Sequence, residues 1–362
     1  MTFKFFRAPL DPDEREQRLM IKVAECKRGY PSVLFRDPYD GVLSALKEKR
    51  FAKSFMEVGG LEVEPWLLPA PEPKYVPLLT VECMVAFIDS DGCRDYVLKI
   101  EEFVNQRVLP GVPVMIGVDH SLTGGCVRSL AHEYGDLALI VLDSHFDAII
   151  PSVRCALIQY DLETNPESPF NPFDPYIYGR VDSYNADSFL YYLVHEGVIA
   201  PENLVVLGVS DYPPPHAFKI RDWRVQKYLE LYRGFEDMGV KIVKKEEVLK
   251  NFKVVKEVLE GLKADHFYLS VDLDVGSKSA LRGARFNDYE GLDEQTIYRL
   301  VRAIGRSVGD KLVGLDLMEI DVFNAGVETK NGKDRTYYIA AEIIQIISNE
   351  FSKVKNEIND KL

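Results

Sequence analysis

Basic charge is what this chain has too little of. Its 44 lysines and arginines stand against 57 aspartates and glutamates in 362 residues, a formal charge of −13 at pH 7. Phosphate backbones and anionic membrane surfaces are gripped by clustered Lys and Arg, so neither nucleic acid nor such a membrane is the expected partner. Cysteine is scarce too: the five residues Cys26, Cys83, Cys93, Cys126 and Cys155 are odd in number and show no C-x-x-C spacing. Free thiols in a reducing cytoplasm are the simplest reading. No uninterrupted apolar run is long enough for a membrane span, and the short apolar stretch near the N-terminus is broken by Lys4 and Arg7 and followed by acids. Neither a signal peptide nor a spanning helix is expected. Repeats and low-complexity segments are also missing.

What is present reads as one globular domain, with 46% hydrophobic and 28% charged positions. From about residue 80 onward, aliphatic runs alternate with amphipathic ones. The expected strands are 83–89, the run VPVMIGVDH ending on His120, 137–147, 203–210, 240–244, 266–274 and 311–320. The expected helices lie in 94–109, 186–199, 223–239, 254–263 and 293–308. Near-continuous aliphatic strands are what a parallel sheet needs when helices cover both faces, so the fold class is α/β, a single-domain doubly wound parallel sheet. Residues 1–80, with helical patterning in 12–28 and 40–57 and a proline-rich connector at 64–77, read as an N-terminal extension packed on that sheet, with the main domain running from 81 to 362. The stretch from Asp147 to about Asn185 is long for a connection and rich in Pro, Asn and Tyr, which suits a segment overhanging a site.

Three of the strand runs end on acids and histidines: His120; Asp143, His145 and Asp147; Asp272 and Asp274. In an extended chain residues i, i+2 and i+4 point to one side, so each group presents its ligand atoms together. Carboxylates gathered without basic partners repel one another unless cations sit among them. Imidazole plus carboxylate, with no thiolate, suits a hard or borderline divalent ion, and the set is larger than one tetrahedral zinc needs. Two Mn²⁺, or other divalent ions, are expected, and water activated by such a pair makes a hydrolase the natural reading.

These motifs resemble those of the arginase and agmatinase (ureohydrolase) family. Gly117-Val118-Asp119-His120-Ser121 is similar to its GGDHS motif, Asp143-Ser144-His145-Phe146-Asp147 to its DAHxD motif, and Ser270-Val271-Asp272-Leu273-Asp274 to its SxDxD motif. The resemblance implies an arginase-like fold and hydrolysis of a linear C–N bond in a small cationic guanidino, amidine or formimino compound. It also implies a homo-oligomer, trimer or hexamer. By motif, one manganese falls to His120, Asp143, Asp147 and Asp272 and the other to His145, Asp143, Asp272 and Asp274. Glu319, in Gly314-Leu315-Asp316-Leu317-Met318-Glu319, matches the acid that orients the substrate guanidinium, and Asp211 matches a weaker substrate-ammonium reader. Asp147 is the expected proton carrier beside the activated water.

The departures are equally specific. Where the family keeps a proton-shuttling histidine, this chain has Tyr184-Asn185-Ala186-Asp187-Ser188-Phe189, and asparagine moves no proton. Asn185 is then expected to hydrogen-bond substrate, and His216 is the substitute acid or base; His195, inside a helix, and Arg154, read as solvated, are not favoured. Val118 stands for a motif glycine, and Val275-Gly276-Ser277-Lys278 replaces the family's Asp-Pro after the third motif. Two function classes follow: a dinuclear manganese hydrolase, or a non-catalytic member of the fold with a structural or regulatory role.

Overall fold

The computed structural model describes residues 2–51, 55–330 and 332–359. Eight strands form one parallel sheet: β1 (Phe3–Ala8), β2 (Phe55–Gly60), β3 (Val112–Gly117), β4 (Leu137–Leu142), β5 (Leu204–Val209), β6 (Lys241–Lys244), β7 (His266–Asp272) and β8 (Leu312–Met318), in the order β2-β1-β3-β8-β7-β4-β5-β6. Every residue of β3, β4, β5 and β8 is buried. Alternate side chains feed two cores: Val114, Ile116, Ile140, Leu142, Leu269 and Leu317 lie on one face, and Met115, Leu139, Val141, Val206 and Tyr268 on the other. That two-sided burial explains the continuous aliphatic runs, because neither face of these strands meets water.

Among the described residues, twelve α-helices cover the two faces. They are α1 (Glu16–Arg28), α2 (Pro38–Glu48), α3 (Val81–Asp89), α4 (Gly92–Phe103), α5 (Thr123–Tyr134), α6 (Pro151–Thr164), α7 (Phe189–His195), α8 (Trp223–Met238), α9 (Lys245–Lys250), α10 (Lys253–Gly261), α11 (Glu294–Val308) and α12 (Thr336–Asn359). Helices α2, α10, α11 and α12 add to the first core, and α3, α4, α5, α7 and α8 to the second. Local chemistry sets several ends. Asp37, Thr80, Asp222 and Asp293 cap α2, α3, α8 and α11 by accepting a backbone N–H, and Gly29 and Gly239 close α1 and α8 in left-handed conformation.

Three expectations need correction. Residues 83–89 are helix, not strand: Thr80 Oγ1 accepts from the Cys83 N–H, and a short apolar run carries no periodicity that separates a buried strand from a buried helix. The N-terminal stretch does more than pack on the sheet, since β1 and β2 are two of its strands, β1 pairing in register with β3 from Phe3–Val112 to Ala8–Gly117. The helical pattern of 40–57 stops at Glu48 and gives way to β2; its residues 52–54 lie outside those described.

All eight strands of this sheet being parallel, their C-terminal ends share one edge. β8 lies between β3 and β7, and β7 beside β4, so the groups that follow these four strands converge. Gly208 matters here: it sits at the irregularity in β5 with φ +108, and a Cβ would stand 3.0 Å from the Asp143 carbonyl oxygen. A side chain there would push on the segment that carries Asp143.

Candidate metal centre

The turns that end β4 and β7 split the two oxygens of an aspartate between two tasks. Asp143 Oδ1 accepts from the His145 N–H at 2.7 Å, and Asp272 Oδ1 accepts from the Asp274 N–H at 2.7 Å. Each Oδ2 is thereby aimed at the cluster, where His120 Nδ1 lies 3.3 Å from Asp143 Oδ2, 2.8 Å from Asp147 Oδ2 and 3.2 Å from Asp272 Oδ2. On the other side His145 Nδ1 lies 2.7 Å from Asp274 Oδ2 and 3.7 Å from Asp143 Oδ1. Two ligand groups result, His120–Asp143–Asp147–Asp272 and Asp143–His145–Asp274, which share Asp143. All six residues proposed from the strand ends are therefore brought together. Asp272 belongs to the first group alone by distance.

The crowded carboxylates and imidazoles shift one another's proton affinity strongly. Burial, then the charges of Asp147, Asp272 and Asp274, push Asp143 well above the usual carboxylate range. Burial and the Asp274 charge hold Asp272 at about 7. For His120 burial works downward, but hydrogen bonds to Asp143, Asp147 and Asp272 outweigh it and raise the imidazole well above its ordinary value. His145 is raised in the same way by Asp274 and Asp143 against burial. Asp274 is the exception. Burial raises it, yet the His145 charge and hydrogen bonds from His145 and Ser144 bring it below the usual value. Asp143 Oδ2 and Asp274 Oδ2 are buried and accept no well-aligned hydrogen bond, facing only the His120 and His145 imidazoles and the neighbouring carboxylates, a costly condition that a divalent ion relieves.

A second layer fixes the first histidine. His120 Nε2 lies 2.9 Å from Ser270 Oγ, and Ser270 donates to Asp316 Oδ1 at 2.7 Å, so Ser270 accepts from the imidazole and Nδ1 is left for the cluster. Asp316 Oδ2 accepts from Thr123 Oγ1 at 2.7 Å and Tyr268 OH at 2.8 Å, with the whole group buried. Sequence reasoning quoted Ser270 and Asp316 inside motifs without giving them a role. The available signal was a lone acid in the apolar run LVGLDLM, which needs donors if it is to be buried.

The remaining candidates fall in different places. Glu319 ends β8 at φ +60 and accepts from the His120 N–H through Oε1 at 2.9 Å, while its Oε2 faces Arg285 Nε at 3.4 Å. Asp147 is also left-handed, φ +49; backbone outliers of this kind gather at functional sites. Asp211 Oδ2 accepts from the Phe146 N–H at 3.4 Å, its Oδ1 is buried without a partner, and burial lifts it to about 6. Asn185 lines a cavity of about 350 Å³ with Arg154, Arg180, Tyr176, Phe170 and Arg285. Much of that lining comes from 148–185, which is not one loop: α6 and a short 3-10 turn, Pro175–Ile177, lie within it. Arg154 pairs with Asp187. His216 is exposed ahead of the turn Ala217–Lys219, and no hydrogen bond or ion pair joins it to the cluster among the described residues.

Comparison with known proteins agrees with this geometry. The family model described as the arginase family matches residues 83–347. The arginase of Staphylococcus aureus (strain MSSA476) is 25% identical over 209 residues, covering 55% of this chain. The chain spans only 59% of that relative's length. Proclavaminate amidinohydrolase from Streptomyces clavuligerus is 27% identical over 330 residues, 87% of this chain and 84% of the relative. The solved structure of a proclavaminate amidinohydrolase from the same organism superposes with a TM-score of 0.55 at 18% identity, covering 97% of this chain and 92% of that one. At such identity the superposition speaks for the fold.

Proposed function

Because the chain belongs to the arginase family, we propose that it is a dinuclear metal hydrolase, manganese-dependent, acting on a linear C–N bond of a small guanidino, amidine or formimino compound. The observation that carries this reading is the pair of buried ligand groups sharing Asp143, in which four carboxylates face one another and two imidazoles with no arginine or lysine paired to any of them among the described residues. His120, Asp143, Asp147 and Asp272 would hold one ion, and Asp143, His145 and Asp274 the other. Bound ions of this kind supply a water ionised near neutral pH.

The chain's own residues supply the rest. Asp147 is 7% exposed against 0–2% for the other three aspartates, which makes it the ligand best placed to accept and return a proton. Asn185, in the cavity wall, hydrogen-bonds substrate, and Asp211 reads a substrate cation from the His145 side. With no imidazole at the Asn185 stretch, amine expulsion loses a general-acid contribution of about 10²–10⁴-fold unless the leaving group is a good one. Free arginine and agmatine are therefore poor substrates. A cytoplasmic trimer or hexamer is part of the same proposal; among the described residues no helix is long and apolar enough to cross a membrane.

Release of urea, ammonia or formamide from a panel of guanidino and formimino compounds, with added Mn²⁺, tests the reading. Turnover of at least one compound, lost on Asp143→Ala, supports it. No turnover across the panel by a metal-loaded protein favours the non-catalytic alternative, to which the asparagine points.

A further inference from the structure

Beside the cluster the chain carries a guanidinium of its own. Arg285 is 4% exposed, and its place is set by backbone: Ala284 bridges Ile320, and the Arg285 N–H donates to the Glu319 carbonyl at 2.8 Å. The Gly283 N–H just before it is held by Asp334 and Thr336, anchoring the loop to the start of α12. Its head group enters a ring of acids. Nε lies 3.4 Å from Glu319 Oε2, and Nη2 lies 3.6 Å from both Asp11 Oδ1 and Asp13 Oδ2. Asp119 is near enough to add to the charges that keep Arg285 protonated. Asp11 and Asp13 follow β1, so the N-terminal stretch supplies half of this ring.

Glu319 is consequently engaged from both sides. Its Oε1 takes the His120 N–H, and the charge facing Oε2 is that of Arg285. A carboxylate at a strand end, hydrogen-bonded to the backbone of a ligand histidine, is placed to meet a cationic group approaching the ions. Here a tethered cation already stands there. A second guanidinium would meet like charge in a buried setting, and displacing Arg285 would strand it without partners.

We propose that Arg285 is a specificity-determining residue: its guanidinium fills the acidic pocket made by Glu319, Asp11, Asp13 and Asp119 and closes Glu319 to a substrate's cationic head. Asp211 is the acid beside the cluster that no arginine or lysine pairs with among the described residues, and its Oδ1, like Glu319 Oε2, accepts no hydrogen bond. The chain thus takes substrates whose cation, if they carry one, sits on the Asp211 side, or whose reacting group is uncharged. The inference deepens the functional reading above and rests on it.

Calorimetric titration of the full-length, manganese-loaded protein with guanidinium ion and with agmatine is the test. Wild type shows no saturable binding that depends on Glu319, so Glu319→Gln leaves its titration unchanged. Arg285→Ala binds guanidinium at least about tenfold more tightly, and Arg285→Ala with Glu319→Gln loses that gain. Wild-type affinity for either probe that falls about tenfold in Glu319→Gln overturns the proposal, as does an Arg285→Ala protein with no gain. Should Arg285→Ala not fold, the wild-type and Glu319→Gln arms decide alone. Binding is read instead of turnover, so a protein that hydrolyses nothing refutes the functional reading while this result stands on its own.

Discussion

Removing the Ser270 hydroxyl separates metal binding from simple stability. In Ser270→Ala the His120 Nε2–H loses its acceptor and Asp316 Oδ1 loses its donor, both fully buried. Each stranded group costs about 1–3 kcal/mol. At about 2.1 cal/mol/K per residue, unfolding a 362-residue chain turns about 1 kcal/mol into roughly 1.3 °C of Tm, so calorimetry of the metal-free variant should show a loss of about 3–8 °C. A hole in the core alone would do that much. The diagnostic effect is on manganese: with the imidazole free to rotate and to place its proton on Nδ1, affinity measured by competition with a fluorescent chelator should fall about 10–100-fold. Asp316→Asn should fall in the same direction, because Ser270 loses the carboxylate that orients it. Manganese affinity in Ser270→Ala equal to wild type, whatever the Tm, would refute the reasoning that this layer sets the histidine for the ion.

Other outcomes follow from the same geometry. The folded pKa of Asp272 is raised to about 7, and those of Asp143 and His120 are raised too, so the metal-free folded state holds protons that the unfolded chain has released. The stability these groups favour is present at low pH and lost as pH rises through their folded values, whereas the lowered Asp274 contributes in the opposite sense, below the usual carboxylate range. The metal-free unfolding free energy should fall from about pH 4 to about 7, by about 1.4 kcal/mol per pH unit for each proton of difference, and Tm with it, and the gain on adding Mn²⁺ should grow over that window; a metal-free Tm that rises with pH contradicts this. Replacing 165–179, which contributes Phe170 and Tyr176 to the cavity wall, with a short flexible linker should change relative kcat/KM across the compound panel and leave metal content intact. Asn185→His should raise agmatine or arginine turnover only in combination with Arg285→Ala, since the two departures act on different steps; a wild-type rate on either compound in the usual enzyme range, about 1–10³ s⁻¹, would show that neither departure redirects the chemistry.

The strand-end cluster of acids and histidines was legible because each group follows an aliphatic run that does form an interior parallel strand, and period-two geometry then fixes which residues face together. Strand β1 was not, since Lys4 and Arg7 interrupt FKFFRA and both residues reach outward at the sheet's edge region, where Lys4 Nζ donates to the Arg107 carbonyl and Arg7 pairs with Asp37 and Asp40. Residues 83–89 misled because burial, not periodicity, dominates a short apolar run. Arg285 had no local signature at all: its partners Asp11, Asp13 and Glu319 are remote in sequence and meet only through the β1–β3–β8 neighbourhood. Long-range charge pairing of this kind becomes visible only once the strand order is known.

A two-ion site built on Asp143 underlies the proposed chemistry. Manganese content per chain, measured by elemental analysis after loading at mildly alkaline pH and desalting, tests it most directly, with Asp143→Ala beside the wild type. Wild type should hold two ions per chain, and Asp143→Ala, which lacks the residue common to the two groups, should lose both. One ion or fewer per wild-type chain, persisting under excess manganese, would contradict it.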